Sequence, residues 1–162
     1  MVKLSSYIIL SLILTFNIPA ISQDVEYIKI SGLERILANT DDRINVVNFW
    51  ATWCGPCVKE FPMFEKVSKD YPGEKVRFLM ISLDFPSQVE KSLIPFLKKN
   101  NSSLPVAVMT DLDYNAWIDK VDKTWQGDIP VTLVFNNARN QRSFHKGEID
   151  EQGLKKMIGA FL

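Results

Sequence analysis

The chain has 162 residues, which is enough for one domain with its own hydrophobic core. Apolar residues make up 46% of it, a proportion found in ordinary globular proteins. Its 19 basic and 19 acidic residues balance, and there is no long basic run, so the sequence argues against nucleic acid as a partner.

The N-terminus has the pattern of a secretory signal peptide. Lys3 supplies a positive start, an apolar run extends over Tyr7–Ile18, and the small residues of "AIS" follow at Ala20–Ser22. The run is shorter than the roughly 20 residues that a membrane-spanning helix needs. We therefore predict a cleaved signal peptide at residues 1–22, one mature domain at residues 23–162, and an extracytoplasmic or periplasmic protein. The alternative is an uncleaved signal that anchors the protein in a membrane.

Strand-like and helix-like segments alternate along the rest of the chain. The strand-like segments are Val25–Ile30, Ile44–Trp50, Val76–Leu83, Pro105–Met109, Val131–Phe135 and Arg142–Lys146. Helix-like segments follow Ser31, the cysteine pair and Ser87, and two more cover Asp113–Val121 and Leu154–Phe161. Ser31 and Ser87 each stand three residues before a glutamate, which predicts two capping boxes, and Pro95 predicts a break in the third helix. The order of elements predicts a mixed central sheet with helices on both faces.

The only two cysteines of the chain, Cys54 and Cys57, lie in the segment "NFWATWCGPCVKEFP". Zinc commonly needs two such pairs, or a pair with two histidines, whereas this chain adds only His145; we therefore expect no metal site. Haem attachment needs a histidine directly after the second cysteine, where Val58 stands. A structural disulfide is the stronger alternative, although closing so short a loop removes little entropy from the unfolded chain.

A redox-active pair accounts for the surroundings of the cysteines. The pair follows a buried strand and opens a helix, whose free N–H groups and positive end lower the pKa of a thiol placed there. Cys54, at the outer end, is the expected exposed nucleophile, and Cys57, one turn inside, is the expected resolving thiol. Gly55 and Pro56 form the tight turn between them, and a proline at an early helix position loses no needed N–H.

Three motifs resemble those of thioredoxin-fold proteins. "FWATWCGPC" resembles their active-site motif, Pro62 matches the proline of their kinked active-site helix, and "GDIPVTLVF" at Gly127–Phe135 resembles their cis-proline loop. With the signal peptide, the "KEFP" after Cys57 and an insert between the central strands, the chain resembles the TlpA/ResA-like extracytoplasmic thiol-disulfide oxidoreductases. The resemblance implies an α/β, thioredoxin-like fold with such an insert, and a cis peptide bond before Pro130.

The resemblance also implies a substrate groove around the cysteines. Its substrate-binding residues would be Trp53, Gly55, Pro56, Ile129 and Pro130. The backbone of Ile129 would pair with an extended segment of the substrate, as in strand addition. Trp53 would form the rim of the same groove, and half-buried packing is the alternative for its indole ring.

One position departs from the usual thioredoxin pattern. Many thioredoxins carry a buried aspartate where Asn48 stands, whereas the TlpA/ResA-like branch often has an acidic residue after the next strand. Asp84 lies there and is a candidate proton acceptor for Cys57, with a turn residue before a helix as the alternative. Lys59 and Glu60 are interpreted as solvated helix residues.

The implied activity is a thiol-disulfide oxidoreductase that needs no cofactor besides its Cys54–Cys57 disulfide. The Gly-Pro pair resembles that of reducing thioredoxins, so we expect a reductase of exported proteins, served by a membrane thiol-electron donor. Family members often take part in cytochrome c biogenesis by reducing apocytochrome c. The alternatives are a thiol peroxidase, although Ala51 stands where its motif has threonine, and a non-catalytic binding domain with a permanent disulfide.

Overall fold

The computed structural model describes residues 25–162, so the predicted signal peptide at residues 1–22 lies outside the described part of the chain. Six strands form one sheet in the order β1-β4-β3-β2-β5-β6. Their bounds are β1 Glu26–Ile28, β2 Ile44–Trp50, β3 Val76–Ser82, β4 Val106–Met109, β5 Val131–Asn136 and β6 Gln141–Lys146. The helices are α1 Ile30–Leu37, α2 Gly55–Ser68, α3 Ile94–Lys99, α4 Ile118–Val121 and α5 Glu151–Gly159.

The sheet is mixed, as the order of elements predicts. Strands β1, β4, β3 and β2 run parallel to their neighbours, whereas β5 is antiparallel to both β2 and β6. Trp50 of β2 lies opposite Ser82 of β3, which in turn lies opposite Val108 of β4. The carboxyl ends of these three strands therefore meet at one edge of the sheet, and the loops that follow them are neighbours.

Two aromatic clusters cover the two faces of the central strand β2. Trp50 packs on Phe61 and Phe96, with ring centroids 4.6 and 5.2 Å away. Its neighbour Phe49 packs on Trp117 and Trp125, at 6.0 and 4.9 Å. Because successive side chains of a strand point to opposite faces, the sheet is covered on both sides, as the sequence predicts. The first cluster holds α2, which carries the cysteines, against the sheet.

The predicted strands are confirmed, but the two capping boxes are wrong. Helix α1 begins at Ile30 with Lys29 as its N-cap and no side-chain cap. The backbone N–H of Ile30 donates instead to Oδ2 of Asp111, 2.6 Å away and 81 positions along the chain. The start of α1 is therefore capped by a tertiary contact, in place of the local capping box predicted at Ser31 and Glu34.

The third predicted helix is divided into three pieces. A 3₁₀ turn at Pro86–Gln88 and a π-helical segment at Val89–Leu93 precede α3, and no side chain caps them. Pro95 stands in the first turn of α3, so the predicted break is confirmed. The segment predicted as one helix over Asp113–Val121 is likewise divided, into a 3₁₀ turn at Tyr114–Ala116 and α4.

A buried carboxylate ties the active-site helix to the segment between β3 and β4. Glu65 of α2 accepts hydrogen bonds from the hydroxyl of Ser102, from the backbone N–H and hydroxyl of Ser103, both at 2.9 Å, and from the N–H of Leu104 at 3.1 Å. The loop before β4 is therefore fixed to α2. No helix within residues 25–162 is long and apolar enough to cross a membrane.

Candidate active site

The two cysteines form a disulfide at the start of α2. Cys54 is the N-cap of this helix, and its sulfur accepts a hydrogen bond from the backbone N–H of Cys57 at 3.3 Å. Gly55 and Pro56 are the first two helical residues, where the missing N–H of proline costs no hydrogen bond. Strand β2 ends at Trp50, so the pair lies at the sheet edge where the carboxyl ends of the parallel strands meet.

The two cysteine residues differ in burial. Cys54 retains 7% of its surface and Cys57 retains 1%, so solvent reaches Cys54 more readily. The expectation of a plainly exposed nucleophile is nevertheless too strong, because Cys54 is largely covered while the disulfide is closed. Its covered side faces the loop before β5: the sulfur lies 3.7 Å from the carbonyl oxygen of Ile129.

The loop before β5 has the geometry that the resemblance implies. The Ile129–Pro130 peptide bond is cis. Gly127 has φ of 91°, a conformation that favours glycine, and the indole N–H of Trp125 donates to the carbonyl of Asp128 at 2.7 Å. These features hold Ile129 beside the disulfide. Trp53, directly before Cys54, leaves 61% of its surface exposed at the same edge.

Asp84 is buried, and its carboxylate is hydrogen-bonded to the segment after β2 and to the end of β3. Its carboxylate accepts from the backbone N–H of Thr52 at 3.0 Å, from the hydroxyl of Thr52, and from the hydroxyl of Ser82 at 2.7 Å. These bonds tie the residues before Cys54 to the end of β3. Proton transfer between Asp84 and Cys57 stays a prediction.

Glu60 is the acidic residue that the sequence reasoning missed. It is buried, not solvated, and its two carboxylate oxygens accept from the side-chain amide of Asn48 at 3.1 Å and from the backbone N–H of Ile149 at 2.9 Å. Burial raises its pKa, against the lowering by these two hydrogen bonds. Because Glu60 lies three residues after Cys57 on α2, the two share a helix face. That spacing was the one available signal.

Glu60 also explains the asparagine at position 48. The amide nitrogen of Asn48 contacts Glu60, the carbonyl of Val131 at 3.3 Å and the hydroxyl of Thr132 at 3.1 Å. An ionised aspartate at that position would have no hydrogen to donate and would face a second carboxylate. In this chain the buried acid is therefore Glu60 of α2, and Asn48 of β2 donates a hydrogen bond to it. Lys59, the neighbour of Glu60, is exposed as expected and pairs with Glu148 at 3.1 Å.

A cavity of about 600 Å³ is lined in part by Glu60. It lies between α2, the end of β6 and the start of α5, and its lining includes Glu60, Met63, His145, Glu148 and Met157. The cavity opens on the surface between α2 and α5. Solvent can therefore approach the carboxylate of Glu60 from this surface.

Comparisons with known proteins agree with this geometry. The model of the AhpC/TSA family matches residues 17–140. Thioredoxin from Malassezia sympodialis is 44% identical over 52 residues, 32% of this chain and 50% of that protein. Thiol-disulfide oxidoreductase ResA from Halalkalibacterium halodurans is 24% identical over 112 residues, 69% of this chain and 58% of ResA. The chain thus spans about half the length of these relatives.

A solved structure supports the same fold. The thioredoxin-related protein from Neisseria meningitidis serogroup B superposes with a TM-score of 0.65 and is 29% identical, covering 75% of this chain and 86% of that one. The thioredoxin-like fold and the resemblance to the TlpA/ResA-like branch are both confirmed.

Proposed function

The chain belongs to the AhpC/TSA family, and from that premise we propose that it is an exported thiol-disulfide oxidoreductase that reduces disulfides of extracytoplasmic proteins. One observation carries the proposal: the sulfur of Cys54 caps α2, accepts the N–H of Cys57 and lies against the carbonyl of Ile129. A thiolate in that position is stabilised by the helix N-terminus and faces backbone groups that an extended substrate can pair with.

The reaction is a two-step exchange. The thiolate of Cys54 attacks one sulfur of the substrate disulfide, forms a mixed disulfide and releases the other sulfur as a thiolate, which takes a proton from solvent. Cys57 then loses its proton and attacks the sulfur of Cys54. The Cys54–Cys57 disulfide forms, the second substrate sulfur leaves as a thiolate, and two electrons have passed to the substrate.

Glu60 is suited to receive the proton of Cys57. Its raised pKa makes it a better proton acceptor than an ordinary exposed carboxylate, and it shares a helix face with Cys57. The lining of the cavity beside Glu60 includes neither cysteine, nor Trp53 or Ile129, which a bound substrate would cover. The accepted proton can therefore leave while the mixed disulfide is in place. Asp84 would act earlier, by holding the loop of Thr52 in position for Cys54.

The proposed direction is supported by the motif, and the proposed substrate by the resemblance to the TlpA/ResA-like branch. The Gly-Pro pair between the cysteines resembles reducing thioredoxins, which lie near roughly −270 mV, well below the oxidant DsbA near roughly −120 mV. A reductase outside the cytosol needs a membrane thiol-electron donor to restore its dithiol. Apocytochrome c, whose cysteines must be reduced before haem attachment, is the substrate class that we propose.

Trapping with Cys57→Ser tests the activity. Without the resolving thiol, the variant should accumulate mixed disulfides through Cys54 with exported proteins, visible on non-reducing gels and removed by dithiothreitol. The matched control, Cys54→Ser, should trap none. Mass measurement of the exported wild type, with loss of residues 1–22, tests the signal peptide independently.

Three results would contradict the proposal. No covalent partner and no alkylation of Cys54 at neutral pH would leave a domain with a permanent structural disulfide. Consumption of hydrogen peroxide by the reduced protein, without reaction with any protein disulfide, would make it a thiol peroxidase. A midpoint potential near that of DsbA would reverse the direction.

A further inference from the structure

Three large apolar side chains are exposed in the loops around the cysteines. Trp53, Phe85 and Leu112 leave 61%, 50% and 47% of their surfaces in solvent. They follow β2, β3 and β4, three adjacent parallel strands, in that order. We call these three residues the apolar face.

The strand register brings the apolar face together. Trp50, Ser82 and Val108 lie in line across the sheet, and Trp53, Phe85 and Leu112 stand three, three and four residues beyond them. Neighbouring strands are about 4.8 Å apart. The apolar face therefore extends from the cysteines across β3 to β4, on the side opposite β5 and Ile129.

Hydrogen bonds fix the loops that carry the apolar face. Asp84, directly before Phe85, is bonded to Thr52, directly before Trp53. Asp111, directly before Leu112, accepts the N–H of Ile30 through its side chain and the indole N–H of Trp117 at 3.0 Å through its carbonyl. The apolar side chains are thus held out from anchored backbone, which lowers the entropy cost of binding a partner there.

The charges of these loops have one sign. Residues 51–54, 83–88 and 110–116 contain three aspartates and no lysine or arginine. Asp84 and Asp111 are engaged by the hydrogen bonds above, whereas Asp113, next to Leu112, is exposed. The exposed charge at the apolar face is therefore that of Asp113, which we call its acidic rim.

We propose that the apolar face binds the substrate protein beside its reactive cysteine, and that it selects substrates with an apolar residue and a lysine or arginine there. This inference rests on the proposed function and names the recognition chemistry of the same site. Cys54 lies between two contact regions: the substrate backbone pairs at Ile129, and its flanking side chains bind Phe85 and Leu112. The β4 loop thereby extends the groove beyond Trp53 and the cis-proline loop.

The acidic rim decides between this occupant and two others. A second copy of the chain would bring one acidic rim against another, which costs free energy. An anionic membrane surface would repel Asp113 for the same reason. A substrate segment with a lysine or arginine is attracted by the same negative charge that repels a second copy of the chain or an anionic membrane.

Peptide disulfides of defined sequence test the inference. Each peptide carries one cysteine as a mixed disulfide with thionitrobenzoate, flanked on both sides by Leu-Lys, Ser-Lys or Leu-Glu. The reduced protein is mixed with each peptide, and the release of coloured thionitrobenzoate gives the rate. Hydroxyethyl disulfide, too small and neutral to use the apolar face, measures the exchange chemistry alone.

We expect wild type to reduce the Leu-Lys peptide fastest. Phe85→Ser and Leu112→Ser should each slow that reaction about fivefold, since each loses about half the burial of a large apolar side chain. Neither should alter the rate with hydroxyethyl disulfide. Asp113→Asn should reduce the preference for Leu-Lys over Leu-Glu. The matched control is Leu162→Ser, which is exposed beside Ile44 at the opposite end of β2 and should behave as wild type.

Each other outcome has a definite meaning. Equal rates with all three peptides, or unchanged preferences in the Phe85 and Leu112 variants, would overturn the inference. Failure of wild type to reduce hydroxyethyl disulfide would instead overturn the proposed function. Dimers on gel filtration or binding to anionic vesicles, either abolished by Leu112→Ser, would assign the apolar face to a second copy or to a membrane and would overturn the inference.

Discussion

The hydrogen bonds of Glu65 predict a large loss of stability when its carboxylate is removed. Glu65→Ala deletes the acceptor of four hydrogen bonds from three consecutive residues, Ser102, Ser103 and Leu104. The two serine hydroxyls can turn to other acceptors, but the N–H groups of Ser103 and Leu104 are fixed by the backbone. In Glu65→Ala these two N–H groups lose their hydrogen bonds to Glu65.

The size of the loss follows from the hydrogen bonds that Glu65 accepts. One hydrogen bond contributes about 0.5–1.5 kcal/mol net; only the bond from Leu104 is buried and Ser103 is exposed, so the four together give an expected decrease of about 2 kcal/mol in the free energy of unfolding. Glu65→Gln keeps an oxygen that can accept most of these bonds, and we expect it to lose about 1 kcal/mol. Glu74→Ala, at an exposed position outside such a network, should change stability by less than about 0.5 kcal/mol.

Urea denaturation of the oxidised proteins measures these differences through the transition midpoint, provided that the slope with urea stays constant. The expected order of stability is Glu74→Ala, then Glu65→Gln, then Glu65→Ala. A loss below about 1 kcal/mol for Glu65→Ala would refute the reasoning. It would mean that the loop before β4 finds other acceptors once it leaves α2.

The remaining predictions concern charge. Because the pKa of Glu60 is raised, the native protein holds the proton of this carboxyl more tightly than the unfolded chain does, so the contribution of Glu60 to stability is present in acid and is lost as pH rises through the raised pKa. The stability difference between wild type and Glu60→Gln should therefore change between acid and neutral pH. A difference that stays constant with pH would contradict the burial of Glu60. Asn48→Asp should destabilise the protein at neutral pH by about 2 kcal/mol and less in acid, because it removes a donor to Glu60 and adds a second carboxylate. Hydrogen bonds from Lys155 and then Lys66 lower the pKa of Glu151 to about 2, so the stability they provide is present above the ordinary glutamate range and is lost as pH falls toward that value. Since these groups are exposed, Glu151→Gln should have a small effect that added salt removes.

Several features of the site could be predicted from a few adjacent residues. The apolar run Ile44–Trp50 forms β2 with those bounds. Cys54 caps α2 because it lies between the end of β2 and the first helical residues, Gly55 and Pro56. Such local features depend on backbone geometry and on neighbours within one helical turn, which a single sequence displays directly.

Glu60 shows why the rest could not be predicted. Its charge and its neighbour Lys59 are typical of a solvated helix face, and only the approach of Asn48 and Ile149, 12 and 89 positions away, makes it a buried acid. The same holds for Asp111, whose side chain caps a helix that begins 81 positions earlier.

The sequence by itself determined the cysteine pair, the strand before it, the helix after it and the family. Tertiary structure alone decided that Glu60 is buried, what Asp84 bonds to, and which apolar side chains are exposed around the cysteines. The physical reason is that burial, desolvation and hydrogen-bond partners depend on the packing of distant segments, and the periodicity of one segment carries no information about what packs against it.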